Sequence, residues 1–304
     1  LFPNYEQPLF PVDSDDVSRR VAEDLILSYS PGSIIAIERP GPDKDDCFKN
    51  FNGDDISGFT AKMNHLMVDD MFTVAIGDGG NELGISVPDN RADAILLGST
   101  SDYSAFALAA AICLHHGSNL LPAPHLVDRF CSVMKELEIV DGINGHTSGS
   151  VDTIPFSSVL KRYKLVIELV NKLIQANQII SQYSFQLQER YGVSTLDLNP
   201  QWNFEIEQLL LQGSVLLKSQ LLQLSTMLTD AGIPVKDEVK ILADPDCNSD
   251  KISWCKTDNL ELDLLDRPGG KLTTQISSYD QYVRLLWNHQ GWSLLQTPDL
   301  AMGW

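Results

Sequence analysis

The sequence predicts an α/β protein in which a doubly wound, mostly parallel sheet is followed by an appended helical plus small β module. Short apolar segments of β-strand character alternate with longer helical patterns over the first 180 residues, as expected for a parallel sheet covered by helices. The composition changes near residue 175, because all five tryptophans follow it. We therefore expect an α/β domain over residues 1–175 and an α+β module over residues 176–304.

The first half of the chain alternates helices and strands. Asp13, Ser14, Asp15 and Asp16 offer helix caps and acidic groups that complement the helix dipole, so a helix is expected from there to about Ser30. Short apolar runs, such as the partly β-branched Thr-Val-Ala-Ile, are typical of buried strands. The predicted strands cover residues 33–37, 73–76 and 92–98, and further helices cover residues 103–116, 126–137 and 159–180.

The second half predicts a helical hairpin and then short strands. Two long patterns rich in Leu, Ile and Gln cover residues 165–188 and 204–228, with Asn199 and Pro200 in the connection. Beyond residue 240, two short segments flank the sequence Arg-Pro-Gly-Gly at 267–270, which is typical of a β-hairpin turn. We expect strands or a short helix at residues 282–287 and 292–295.

Charge and cysteine spacing argue against several functional classes. A net charge of −19 disfavours nucleic acid and anionic membranes as partners, and no apolar run is long enough to span a bilayer. The five cysteines are widely spaced and include no CxxC pair, so neither a zinc site nor a disulfide framework is indicated. A reducing compartment is favoured, and the N-terminal segment lacks the basic region of a signal peptide.

Polar residues follow each of the three predicted strands. The strand at residues 73–76 ends in a glycine-rich acidic turn, whose glycines permit positive φ angles and whose free N–H groups can form a nest for an anion. Because the carboxyl ends of parallel strands lie along one edge of a sheet, we group these residues into one site. The site residues are Glu38, Arg39, Asp78, Gly79, Gly80, Asn81, Glu82, Ser101 and Asp102.

About residues 1–172 resemble the D-glutamate cyclase-like C-terminal domain, which stands alone in bacteria and forms the second half of the animal mitochondrial D-glutamate cyclase. The matching residues include Ala-Ile-Glu-Arg-Pro-Gly at 36–41, Ile-Gly-Asp-Gly-Gly-Asn-Glu-Leu-Gly at 76–84, and Leu-Leu-Pro-Ala-Pro at 120–124. The resemblance implies a hydro-lyase that closes D-glutamate to 5-oxo-D-proline with loss of water, in the cytoplasm or mitochondrial matrix. The family domain also has an upstream strand and glycine-rich loop, which we expect this sequence to lack.

The implied reaction needs a base for the α-ammonium, an acid for the departing oxygen and donors for the oxyanion. We assign Asp78, Glu82 and Glu38 as catalytic residues and Arg39 as the clamp for a substrate carboxylate. The substrate-binding set is completed by Gly79, Gly80, Asn81, Ser101 and Asp102, with Asn144 and Asp152 as supporting loop residues. No metal ligands are assigned; the cofactor stays open, with Mg²⁺ as the candidate.

Structural roles are the alternative for these residues. Glu38 and Arg39 can form an ion pair at a strand end. Asp78 can cap the next helix, and Glu82 can face a helix dipole.

Two other functions stay open. A haloacid dehalogenase-type phosphatase would use Asp13 as nucleophile and hold Mg²⁺ with Asp15 and Asp78. A divergent, non-enzymatic protein that binds small carboxylates is the other alternative, because residues 100–105 depart from the family's Asn-Trp-Gly signature. The expected partner is a small carboxylate, and the C-terminal module is the expected surface for a homo-oligomer or a protein partner.

Overall fold

The computed structural model describes residues 14–86, 91–147, 149–191, 196–244, 253–256, 262–276 and 282–304. The chain divides into two compact units, Leu1–Glu168 and Leu169–Trp304. The predicted extended segment at residues 1–12 lies outside the described residues, as do Asp13 and Cys247.

The first unit contains the helices and strands that the alternating pattern predicts. Each predicted element before residue 160 is present, with ends that differ by up to a few residues. In chain order the elements are α1 (Asp15–Tyr29), β1 (Ser33–Ile37), a 3-10 helix (Met63–Leu66), β2 (Phe72–Gly77), β3 (Ala94–Leu97), α2 (Ser101–His116), α3 (Pro124–Glu136), β4 (Ser150–Val151), β5 (Ile154–Pro155) and the start of α4 (Phe156–Tyr191).

Three parallel strands form the sheet of this unit, in the order β1-β2-β3. The central strand β2 is buried from Thr73 onward, and α2 packs against β2 and β3. The outer strands leave Ile35, Ile37 and Leu97 exposed. The α/β class is therefore confirmed. Among the described strands the order does not reverse, so the doubly wound arrangement, which such a reversal defines, stays a prediction.

The second unit does not contain the predicted helical hairpin. After α4, the chain forms β6 (Leu196–Asn203), β7 (Gln208–Val215), α5 (Lys218–Asp230) and β8 (Val235–Ile241). Exposure alternates along β6. Among the described strands β6 pairs with β7 alone and is an edge strand, which is why Pro200 is tolerated there. The prediction was wrong because a leucine-rich run fits both a helix and a buried strand.

The C-terminal segments form short antiparallel strands. The predicted hairpin at residues 262–276 is present as β10 (Leu262–Leu265) and β11 (Leu272–Ile276). A second sheet has the order β14-β13-β12-β9, with β9 (Ser253–Cys255), β12 (Val283–His289), β13 (Trp292–Gln296) and β14 (Met302–Gly303). Helices α4 and α5 and strand β7 supply most of the main core of this unit. None of the described helices combines the length and apolarity needed to cross a bilayer.

Two leucines of α5 give a matched test of this core. Leu224 is fully buried, whereas Leu222 is 69% exposed. We expect Leu224→Ala to lower the free energy of unfolding by about 2–5 kcal/mol, because it leaves a cavity. Leu222→Ala should change it by less than about 0.5 kcal/mol. Urea unfolding followed by tryptophan fluorescence reports on this unit, since all five tryptophans lie in it. Equal losses in the two variants would contradict the packing described here.

Candidate active site

The turn after β2 is organised by the carboxylate of Glu82. Its Oε1 accepts hydrogen bonds from the backbone N–H groups of Asp78 (2.9 Å) and Gly79 (2.6 Å), and its Oε2 accepts one from Gly80 (2.7 Å). The residue is only 4% exposed. The predicted nest of N–H groups is therefore present, and in this structure the anion that it binds is the chain's own carboxylate.

Backbone hydrogen bonds join this turn to the end of β1. Leu83 N–H donates to the Arg39 carbonyl (2.7 Å), and Gly41 N–H donates to the Asn81 carbonyl (2.9 Å). A Cβ on Gly77 would lie 2.4 Å from the Cδ of Glu82, so this position accepts only glycine without a rearrangement. The two strand ends are thus held side by side.

Three carboxylates converge beside this junction. The side chains of Glu38, Asp78 and Asp152 each offer an oxygen, and these oxygens all lie within 4.8 Å of one another. Glu38 follows β1 and Asp78 follows β2, as the sheet-edge argument predicts. Asp152 lies in the two-residue turn between β4 and β5; the sequence assigned it only a supporting role.

Two of the three carboxylate residues have a strained backbone. Glu38 and Asp152 both have φ near 50°, and Thr153 after Asp152 has φ of 68°. Residues other than glycine rarely adopt this region, which costs on the order of 1–3 kcal/mol each. The hydrogen bond from Glu38 N–H to the Ile76 carbonyl (2.9 Å) helps to hold the first of these conformations.

A fourth carboxylate, Asp141, positions the turn that carries Asp152. It accepts hydrogen bonds from the Ser150 hydroxyl (2.5 Å), from Thr153 N–H (2.9 Å) and from the N–H groups of Ile143 and Asn144. These bonds, the Ser150 hydroxyl first, lower the pKa of Asp141 to about 2. Asp141 is therefore a scaffold residue for the turn that carries Asp152. Asn144 supports the same loop by accepting a hydrogen bond from His146 N–H.

Helix α2 begins beside the cluster. Thr100 caps the helix, and the backbone N–H of Ser101 donates a hydrogen bond to Asp78. The Ser101 side chain is fully buried and its hydroxyl has no hydrogen-bond partner. Desolvation, followed by the charge of Asp78, raises the pKa of Asp102, so the predicted pair Ser101–Asp102 does lie near Asp78.

The cluster has more negative charge than its surroundings neutralise. Desolvation, followed by the charges of Asp152, Asp78 and Asp102, raises the pKa of Glu38 to about 7. Desolvation is also the first cause of the raised pKa values of Asp78, Asp102 and Asp152. Such a cluster favours a proton, an ammonium group or a metal cation. Carboxylate oxygens are ligands suited to Mg²⁺ or Mn²⁺, so Glu38, Asp78 and Asp152 could hold such an ion.

Arg39 does not neutralise this cluster. Among the described residues no ion pair includes Arg39, so the structural alternative of a Glu38–Arg39 pair is not observed. Its Nε is buried and has no hydrogen-bond partner. Arg39, which directly follows Glu38 in the sequence, therefore retains an unused hydrogen-bond donor.

The phosphatase arrangement receives no support from the geometry. The carboxylate of Asp15 contacts His65 (2.7 Å) and Arg19 (3.0 Å), and the residues that share a cluster with Asp78 are Glu38 and Asp152. The predicted Mg²⁺ pair of Asp15 and Asp78 is therefore not formed, and Asp13 lies outside the described residues.

Comparison with known proteins gives one result for this region. The model of the family described as "D-glutamate cyclase-like, C-terminal" matches residues 10–167, a segment that includes every residue of the carboxylate cluster. No curated protein matches the chain.

Glu82→Gln tests the structural role of the Glu82 carboxylate. In glutamine an NH₂ group replaces one of the two carboxylate oxygens. Because NH₂ cannot accept a hydrogen bond, at least one buried backbone N–H group loses its partner. We expect a loss of about 1.5–3 kcal/mol in the free energy of unfolding, measured by urea denaturation with far-UV circular dichroism. Glu23→Gln, which removes an exposed charge from α1, is the control and should be nearly neutral. Unchanged stability of Glu82→Gln would contradict the proposed role.

The raised pKa of Glu38 predicts a pH-dependent effect of Glu38→Gln on stability. In the folded chain this group binds a proton up to about pH 7, whereas the unfolded group releases it near pH 4.3. The wild-type protein should therefore lose stability as pH rises from about 4 to 7. Glu38→Gln removes that dependence, so its melting temperature should exceed that of the wild type at pH 8 and match it at pH 4. A difference independent of pH would refute the pKa assignment.

Proposed function

The chain belongs to the D-glutamate cyclase-like C-terminal domain family, and from this premise we propose that its carboxylate cluster closes D-glutamate to 5-oxo-D-proline with loss of water. The observation that carries the proposal is a carboxyl group with a pKa of about 7, Glu38, beside two further carboxylates. A general base works best when its pKa lies near the working pH.

Proton transfer is the proposed task of Glu38. The ionised carboxylate accepts a proton from the α-ammonium of the substrate, and the freed amine attacks C5 to form the new C–N bond. After the attack the nitrogen gives up a second proton, and the same carboxyl group delivers the two protons in turn to one C5 oxygen, which leaves as water when its C–O bond breaks. Two protons are thus moved from nitrogen to oxygen, and no external oxidant or reductant is needed.

Substrate orientation is the proposed task of the surrounding charges. Asp78, Asp152 and Asp102 attract the ammonium group to the side of Glu38. Arg39, with its unpaired buried Nε, binds a substrate carboxylate. If Mg²⁺ occupies the cluster, Glu38 becomes a ligand and the ion supplies polarisation of the substrate carboxyl group.

Three of the predicted site residues have revised roles in this proposal. Glu82 is buried and its oxygens bind N–H groups of its own turn, so it organises the site and does not contact substrate. Gly79 and Gly80 donate their N–H groups to Glu82 and share this organising role. Asp78 stays a member of the carboxylate cluster.

Turnover of the two enantiomers of glutamate tests the proposal. The purified chain is incubated with D- or L-glutamate, with and without Mg²⁺, and 5-oxoproline is followed by chiral chromatography. We expect conversion of the D-enantiomer that rises with pH as Glu38 ionises near pH 7. Glu38→Gln should lower the rate by about 10²–10⁴-fold, the usual contribution of a general base. Arg39→Ala should raise KM, and Glu23→Gln is the control that should keep activity.

The result without turnover is also informative. If the folded chain converts neither enantiomer but binds D-glutamate in a calorimetric titration, the alternative of a divergent carboxylate-binding protein is supported. If the Glu38→Gln variant retains the full rate, the assigned base is wrong.

A further inference from the structure

Helix α3 has an apolar face that the described part of the chain covers only in part. None of its 13 residues is buried, and Phe130 on this helix is 51% exposed. Val127, Phe130, Cys131 and Met134, at the spacing i, i+3, i+4 and i+7, all line one pocket. This spacing places them on a single face of the helix, so the helix borders a cavity where its apolar face would normally pack against a core.

The pocket itself is almost wholly apolar. Its volume is about 320 Å³, which is in the range of small-molecule sites. The opposite wall comes from α2 and the start of α4, through side chains that include Phe106, Phe156 and Val159. Asp102 is the only ionisable carboxylate in the lining. D-glutamate, which carries charged groups at both ends and only two methylenes between them, does not account for such a cavity.

A cationic depression adjoins the apolar pocket. It has a volume of about 370 Å³, and Cys131 and Phe156 line both spaces. Lys135 of α3 and Lys161 and Lys164 of α4 line the depression, and the only acidic group in its lining is Asp128. Across the described part of the chain, none of these three lysines forms an ion pair.

The two linings together define the ligand. An apolar pocket binds a hydrocarbon chain, and three unpaired lysines in a protein of net charge −19 attract an anionic group. Asp102 in the lining of the apolar pocket repels an anion, so we expect the head group on the lysine side. We propose that this site binds a medium-chain carboxylate, with its head group on Lys135, Lys161 and Lys164 and its alkyl chain against α3. The proposal does not depend on the cyclase activity.

Binding of decanoate, measured by isothermal titration calorimetry below its micelle concentration, tests the site. We expect one molecule per chain and a loss of about fourfold in affinity for each methylene removed, because a buried methylene contributes about 0.8 kcal/mol. Decylamine, with the same chain and the opposite charge, should bind at least tenfold more weakly. Tighter binding of decylamine would overturn the proposal and would indicate that Asp102 selects a cation.

Two variants and one control locate the binding. The double variant Lys161→Glu, Lys164→Glu should weaken decanoate binding at least tenfold, and Val127→Trp should weaken it by filling the pocket. The double variant Lys44→Glu, Lys218→Glu makes the same charge change at exposed sites elsewhere and should leave binding unchanged. Equal binding by the Lys161→Glu, Lys164→Glu variant and the control, or no binding by the wild type, would refute the site.

Cys131 provides a second measurement that needs no substitution. Its thiol lines both spaces and is partly exposed. Decanoate should slow its alkylation by N-ethylmaleimide at least threefold, followed by peptide mass spectrometry, whereas Cys47 should react at the same rate with and without decanoate. Unchanged alkylation of Cys131 at saturating decanoate would place the ligand elsewhere and overturn the assignment.

Discussion

The hydrogen bonds between the Glu82 carboxylate and the N–H groups of Asp78, Gly79 and Gly80 are the interaction on which the site depends. They fix the turn after β2, and they explain why position 77 is glycine, since any Cβ there would collide with Glu82. The residue after Glu82 then donates to the Arg39 carbonyl and ties the turn to β1. Glu38 and Asp78 meet because these two strand ends are joined.

Five carboxylates of this unit fall into two groups with opposite environments. Glu82, Asp141 and Asp93 accept several hydrogen bonds from backbone or hydroxyl donors, and these bonds stabilise local structure. Glu38 and Asp152 instead lie on strained backbone and carry raised pKa values. The hydrogen-bonded carboxylates stabilise the turns that hold Glu38 and Asp152 in their strained, mutually repelling arrangement. Residues with strained backbone and shifted pKa values are more often functional than structural.

The sequence predicted which residues lie at the edge of the parallel sheet better than it predicted which groups those residues contact. Strands that alternate with helices place Glu38 and Asp78 at one edge, and both are there. Asp152 was predicted only as a supporting loop residue, because its place in the cluster depends on a turn that lies about 70 residues after Asp78 in the sequence and is held by Asp141. Glu82 and the nest of N–H groups were both predicted from the sequence. Residue spacing alone does not show that the Glu82 carboxylate is the anion that this nest binds. In the second unit, leucine-rich runs do not distinguish a helix from a buried strand, so β6 and β7 were missed.

The acidity of the cluster constrains how a dicarboxylate substrate can bind. D-glutamate at neutral pH carries two carboxylates and one ammonium group, and the four carboxylates at Glu38, Asp78, Asp102 and Asp152 repel the former and attract the latter. In the reaction proposed above, the ammonium group therefore faces the cluster and the substrate carboxylates face away from it. That orientation would place the proton to be removed beside Glu38, the group whose pKa permits its transfer. Under that proposal, the repulsion among the free carboxylates also selects the reactive orientation of the substrate.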